Sequence, residues 1–190
     1  WQEQTAHQKK FHQLPSKIWY RMIAPLFLRK VRQIIPRSKR ACDFTKSYLH
    51  NVTDTVLDHG INVDKFTFSS EKTRTIISSS QLIARKNIDG IIRVFSAFTQ
   101  MEGYEDIRLL IAGRGDQRPM LESLAAELGV REKVEFLGFL PQTELNQYIK
   151  TSYCFLVNTR QDLNMVSIPE AVVSGTPILT NTQPASAGYI

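Results

Sequence analysis

Hydrophobic and polar positions follow two different rhythms along this chain, and the change comes near Thr75. Before it, Ile18, Met22 and Leu26 repeat at spacing four, as do Trp19, Ile23 and Phe27, while Lys17, Arg21, Arg29, Lys30 and Arg32 fall on other directions. This is the pattern of an amphipathic helix starting at Ser16. Pro25 should kink it, because proline lacks the amide hydrogen and its ring crowds the preceding turn. Pro36 and the basic run Arg37-Ser38-Lys39-Arg40 should end it. Residues 1–15, polar and rich in Gln and His, read as a loop or frayed end. Thr55-Val56-Leu57 predicts a short strand and His59-Gly60-Ile61-Asn62 a turn.

From Thr75 the pattern becomes regular. Thr75-Ile76-Ile77-Ser78 predicts a strand, and Ile88, Ile91, Ile92, Phe95 and Phe98 predict a helix with Asn87 as its N-cap. Ile107–Ala112 is an apolar strand that runs into Gly113-Arg114-Gly115-Asp116. Leu121, Leu124, Ala125 and Leu128 form a helical stripe, closed by Gly129 just past its end. A strand at Val134–Leu137, a helix on Leu145, Tyr148 and Ile149, a strand at Tyr153–Val157, a helix carrying Glu170–Val173 and a strand at Pro177–Thr180 complete the order. Strands alternating with helices over short loops predict a Rossmann-like, doubly wound parallel sheet of the α/β class. The near-continuous apolar strands agree, since helices then cover both faces. Ligands of such sheets sit beyond the carboxyl ends of the strands. That rule selects Ser79–Lys86, Gly113–Asp116, Gly138–Pro141, Asn158–Glu170 and Asn181 onward.

Composition narrows the class. With 190 residues, 42% of them hydrophobic and 22% charged, the chain has the make-up of a folded domain rather than of disorder. It holds no apolar run of the roughly 18 residues that a membrane span needs. It has no initiator Met and no secretory leader pattern, and it reads as a fragment of a longer protein. Cys42 and Cys154 are too few for a disulfide framework and lack metal-ligand spacing, and Cys154 in its apolar run reads as a small buried thiol. Both suit a reducing, cytoplasmic setting.

The net charge of +6 is unevenly spread. Residues 1–58 hold 11 Lys and Arg against 4 Asp and Glu, whereas residues 59–190 hold 13 against 14. The basic part fits a solvated helix face or an anionic membrane surface, and nucleic acid is not expected as a partner.

The chemistry gathers in Asp162-Leu163-Asn164-Met165-Val166-Ser167-Ile168-Pro169-Glu170, two carboxylates eight positions apart, which leads into Ala171–Thr180. This segment resembles family 4 of the retaining glycosyltransferases, which have the two-lobed GT-B fold. That family carries E-x7-E followed by E-A-x-x-x-G-x-P and a hydrophobic run. Asp162 replaces the first Glu, and Leu163-Asn164-Met165 replaces the usual Gly-Phe-Gly. Ser79–Asn87 resembles the family loop G-R-L-x-x-x-K-G: Lys86 matches its Lys, and Gln81 falls on its Arg. Gly113-Arg114-Gly115 resembles the family's G-x-G, Phe136–Pro141 its base-reading loop, and His59–Asn62 its interlobe H/N-G-I/V-D.

The resemblance implies roles for these residues. Glu170 would accept from the donor ribose hydroxyls, and Asp162 would face the transferred sugar. Lys86 would grip the pyrophosphate, with Arg85 beside it and Gln81 unable to supply the charge of an Arg. These three, Asp162, Glu170 and Lys86, are the expected catalytic set. Backbone around Gly113, Gly115, Phe139 and Leu140 would meet the nucleotide. Amides of Leu163, Asn164, Met165 and Val166 would bind sugar hydroxyls or phosphate near a helix N-terminus. Without glycines, those torsions are restricted.

Residues 55–190 would then be the donor lobe, truncated at its C-terminus. Residues 1–54 would be a basic helical tail of the acceptor lobe, or a linker. The substrate expected is a nucleotide sugar such as a UDP- or GDP-sugar, the acceptor a glycan or lipid-linked glycan of a bacterial surface polysaccharide or glycolipid. No cofactor and no metal is required, and no Asp-x-Asp motif occurs. The alternative is a non-catalytic lobe that binds a nucleotide or a protein.

Overall fold

The computed structural model describes residues 18–28, 30–57, 60–160, 162 and 165–181. The chain divides into two units, Trp1–His59 and Gly60–Ile190. The expected loop over residues 1–15, the start of the first helix at Ser16 and Lys17, Arg29, His59, Leu163, Asn164 and the segment after Asn181 lie outside the described residues.

In the first unit, Trp19–Ile23 is a π-helical turn that runs into a short helix, α1 (Ala24–Leu28). Proline explains the widened turn. Pro25 cannot donate to the carbonyl four residues back, and the amide of Ala24 reaches five residues back to Trp19. The helix does not continue to Pro36, and the basic run does not end a helix but begins one. Helix α2 (Lys39–Lys46) starts inside it, because the Ser38 hydroxyl accepts from the Ala41 amide at 3.1 Å and caps the first turn. Nor does Thr55-Val56-Leu57 form a strand. Leu57 donates to the Pro36 carbonyl at 2.9 Å, but Pro36 has no N–H to return, so no ladder grows. The unit's bridge lies instead between Ile34 and Val52.

The second unit holds a five-stranded sheet whose strands are all parallel: β1 (Thr73–Ser79), β2 (Arg108–Ala112), β3 (Val134–Gly138), β4 (Ser152–Val157) and β5 (Ile178–Thr180). Their order is β3-β2-β1-β4-β5. Between them lie α3 (Ile88–Phe98), α4 (Arg118–Glu127), α5 (Gln142–Thr151) and α6 (Ser167–Val173). Alternation along the strands sorts the side chains into two layers. Leu109 and Ile111 pack with Ile88, Ile91, Ile92 and Phe95 of α3 and with Leu121 and Leu124 of α4. Ile77, Leu110, Phe155 and Val157 pack with Leu145 and Ile149 of α5 and with Ile168 and Ala171 of α6. Right-handed crossovers require this change of face when the chain passes from β3 back to β4. The strand order therefore reverses between β1 and β4, and a ligand crevice is expected at their carboxyl ends.

Two local expectations change. Asn87 occupies the N-cap position of α3, but with left-handed torsions (φ 54°) and no side-chain capping bond. Its amide lies over Gly90, where an added Cβ would meet Asn87 Nδ2 at 2.8 Å and Asn158 Nδ2 at 2.9 Å. Cys154 is only half-buried, whereas Cys42 is fully buried. Cys154 shares a pocket of about 460 Å³ with Ile76, Phe98 and Tyr104, and burial pushes its thiol pKa up.

Candidate functional site

Two loops straddle the reversal point. The first follows β1 and contains a 3₁₀ turn at Ala84–Lys86. The second follows β4 and carries Asn158, Thr159, Arg160 and Asp162. They are tied together by backbone carbonyls of the turn. Arg85 O accepts from the Arg160 amide at 2.9 Å and from the Thr159 hydroxyl at 3.0 Å. Ala84 O accepts from the Arg160 guanidinium at 2.7 Å, and the same guanidinium pairs with Asp89 at 2.8 Å in the first turn of α3. Thr159 is fully buried. Asn181, at the end of β5, donates to Asn158 and to the Thr159 carbonyl, which braces the second loop from the other side.

This scaffold brings three of the expected residues together. The Lys86 ammonium donates to the Asp162 carboxylate, and the Arg85 guanidinium approaches the same oxygen at 3.7 Å. The side chains of Lys86 and Asp162 are only 12% and 11% exposed, while that of Arg85 is 49% exposed. The sequence selected Thr159 and Arg160 only as part of the range Asn158–Glu170, without a role for either, and did not select Asp89. Their role depends on a loop-to-loop contact across more than 70 positions, which no local spacing encodes.

The loops after β1, β2 and β3 meet on the other side of β1. They line a cleft of about 500 Å³ that includes Gln81, Gly113, Phe139 and Leu140 of the expected donor set. Gly113 has φ +141°, and a Cβ there would lie 1.8 Å from the Ser80 carbonyl oxygen. At Gly115 a Cβ would lie 2.2 Å from the Leu82 carbonyl oxygen. Both glycines are thus demanded by the protein's own backbone, since the loop after β1 lies directly against them. Leu82 N–H donates to Arg114 O at 2.9 Å, Ser80 N–H to Ala112 O at 3.0 Å and Gly113 N–H to Gly138 O at 2.7 Å. Phe139 is 65% exposed, with the Arg114 guanidinium 5.6 Å from its ring centre, inside the range of a cation–π contact.

Glu170 lies in the first turn of α6 and is half-buried. Burial pushes its pKa above the ordinary carboxylate value, and a hydrogen bond from the Gln142 side chain opposes that rise. Gln142 also donates to Asn146 at 2.8 Å and lines the cleft, so Glu170 is linked to the cleft wall through it. Met165 and Val166 differ from one another. The Met165 side chain is buried in the core with Ile168 and Ala171, which confines this position to a backbone role toward any ligand. Val166 stands at the N-cap position of α6, without a capping bond. Among the described residues, no group of three or more His, Cys, Asp or Glu side chains is arranged to hold a metal ion.

Residues 62–190 match the family described as glycosyl transferases group 1. The chain belongs to that family. Over 109 residues it is 30% identical to an uncharacterised glycosyltransferase of Methanocaldococcus jannaschii, covering 57% of this chain and 27% of that protein. It is 24% identical over 186 residues to the alpha-monoglucosyldiacylglycerol synthase of Streptococcus pneumoniae, covering 90% and 41% of the two chains. The chain therefore spans between about a quarter and two fifths of the length of these relatives. Among solved structures it is similar to HepE of Anabaena in complex with UDP and glucose, with a TM-score of 0.71, 15% identity, and coverage of 85% of this chain and 47% of that one. It is also similar to WaaG, a glycosyltransferase involved in lipopolysaccharide biosynthesis (TM-score 0.69, 20% identity, coverage 83% and 46%). The parallel sheet with helices on both faces is the Rossmann-like architecture of these GT-B glycosyltransferases.

Proposed function

We propose that this protein is the donor-binding part of a family 4 glycosyltransferase that transfers a hexose from a UDP- or GDP-sugar with retention of configuration. The observation that supports it most is the gathering of Lys86, Arg85 and Asp162 at the reversal point of the sheet, beside the cleft that Gln142 links to Glu170. In this reading Lys86 and Arg85 meet the donor diphosphate, and Glu170 accepts from the ribose hydroxyls. Phe139, Leu140, Gly113 and Gly115 flank the base, and Asp162 with residues 163–166 serves the sugar end. Cationic side chains placed at a leaving diphosphate do the electrostatic work that a metal does elsewhere, each worth roughly 3 kcal/mol by analogy with a single oxyanion donor. No metal is then required. A nucleotide-binding lobe without catalysis is the second reading, favoured by Gln81, which puts an exposed amide where the family has a cation.

The names of the relatives support a lipid-linked acceptor, since they include alpha-monoglucosyldiacylglycerol synthases and phosphatidylinositol N-acetylglucosaminyltransferase subunits. The first unit agrees in character: Trp19, Met22, Leu26 and Phe27 are exposed beside Arg21, Lys30 and Arg32. Among the described residues no helix is long and apolar enough to cross a membrane. Peripheral docking on an anionic cytoplasmic membrane surface is therefore proposed. Vesicle binding should fall steeply as salt rises to about 0.15 M, where exposed charges are screened over about 8 Å. Salt-insensitive binding, or none, would remove that role.

The test of the main reading is transfer by the full-length protein from a panel of nucleotide sugars, with chelator present and the product's anomeric configuration read by NMR. Retention without added metal is the expected result, and inversion or strict metal dependence would overturn it. Residues 1–190 alone should be inactive. An acceptor that is not held and oriented forfeits about 7–11 kcal/mol of barrier lowering.

A further inference from the structure

Asp162 stands where the family resemblance expects a carboxylate facing the sugar, yet its side chain is turned to two cations. Lys86 donates to one of its oxygens, and Arg85 lies 3.7 Å from the same atom. The pair is nearly closed to solvent, with 12% of the Lys86 side chain and 11% of that of Asp162 exposed, so water screens it weakly. The turn that carries Lys86 is held by more than this carboxylate. It is also held by Arg160 and Thr159, which donate to the carbonyls of Ala84 and Arg85, and by the pair of Arg160 with Asp89. What Asp162 adds is negative charge at the place where Lys86 would meet a phosphate.

We propose that Asp162 is the resident counter-ion of Lys86 and Arg85, and that the diphosphate of the donor displaces it. The inference rests on the reading of Lys86 as the pyrophosphate grip. Without a ligand, Asp162 is the carboxylate paired with a largely enclosed ammonium, a charge that is costly to leave without a partner. When a diphosphate arrives, two like charges compete for one ammonium in a site of low effective dielectric, where their repulsion over a few ångströms is strong. The carboxylate therefore lowers diphosphate affinity, and neutralising it should raise that affinity. This is opposite to the result for a residue that merely holds Lys86 in place.

Inorganic pyrophosphate tests this without knowledge of the donor base. Titration calorimetry on the intact protein would compare wild type with Asp162→Asn, Asp162→Ser, Asp162→Glu and Lys86→Ala. Asp162→Asn keeps the shape and removes the charge, and it should bind pyrophosphate about tenfold more tightly than wild type. Asp162→Ser should gain as well, and serves if the Asn variant fails to fold. Asp162→Glu keeps the charge and should stay near wild type. In a Lys86→Ala background the gain should shrink, because the two residues act on one another. If Lys86→Ala weakens binding but Asp162→Asn and Asp162→Ser leave it unchanged or weaken it too, the counter-ion role fails and the Lys86 reading stands. If wild type and Lys86→Ala bind alike, or neither binds, the Lys86 reading fails and this inference with it.

Discussion

The loops on the two sides of β1 solve different problems with different chemistry. Toward β4, the turn at Ala84–Lys86 meets Thr159, Arg160 and Asp162 through its own carbonyls and through charged side chains, with Arg160 reaching Ala84 O and Asp89 and Lys86 reaching Asp162. Toward β2 and β3, the loops meet through backbone, and glycine is required because carbonyl oxygens lie where side chains would begin. The first region can change its electrostatics residue by residue while keeping its shape. The second can hardly change at all, since its shape is made by the main chain. The chain's departures from the family pattern follow this division only in part. On the first side Asp162 shortens a side chain and Leu163-Asn164-Met165 replaces two glycines, whereas on the second Gln81 changes a side chain while Gly113 and Gly115 keep the family residue.

The largest expected effect breaks the backbone side. Gly113→Ala would force a Cβ to within 1.8 Å of the Ser80 oxygen at a φ of +141°, and should destabilise the fold by roughly 3 kcal/mol or more. Gly129→Ala, with φ +71° but nothing within 4 Å of the new Cβ, should cost only about 1 kcal/mol. Denaturant unfolding of the two variants checks the contrast, and equal losses would show that the contact with Ser80 does not decide Gly113. On the charged side, Arg160→Ala should leave stability nearly intact and weaken nucleoside diphosphate binding about fivefold, through a looser turn at Lys86. Calorimetry that finds no change in affinity would detach Arg160 from the site.

The smallest effect is a pH dependence. In the proposed ribose role the ionised form of Glu170 is the stronger acceptor for two hydroxyls, and burial raises its pKa. Binding of a bare nucleoside should therefore weaken as pH falls through that raised value, earlier than an ordinary carboxylate would allow, and Glu170→Gln should flatten the profile. Stability runs the other way. The folded carboxyl holds its proton to higher pH than the unfolded chain does, so Glu170 costs stability as pH rises from the ordinary value through the raised one. A nucleoside profile unchanged by Glu170→Gln would remove Glu170 from the ribose.

The sheet was legible because its apolar strands and helical stripes are local and periodic. Leu121, Leu124 and Leu128 with Gly129 at φ +71° form a helix and stop that spacing alone defines. The first unit was harder to read, because charge and proline spoke louder there than a single serine. Ser38 opens α2 inside a run that looked like a helix end. Motif spacing marked Lys86, Asp162 and Glu170 as candidates but not what they touch. The pairing of Lys86 with Asp162 and the support from Arg160 join positions more than 70 apart and arise only when β1 and β4 lie side by side. Met165 shows the reverse limit. The motif marked it for the donor, and the fold gives its side chain to the core.

One titration bears most directly on the claim that this lobe grips a nucleotide sugar by its diphosphate. Calorimetry would follow a nucleoside diphosphate and its bare nucleoside into the wild-type protein and into Lys86→Ala, with circular dichroism to confirm that both are folded. Loss of a charge-assisted contact is worth roughly 1.5–3 kcal/mol, so the diphosphate should bind Lys86→Ala at least about tenfold more weakly while the nucleoside binds both proteins alike. Equal losses for the two ligands, or a diphosphate affinity indifferent to Lys86, would contradict the account.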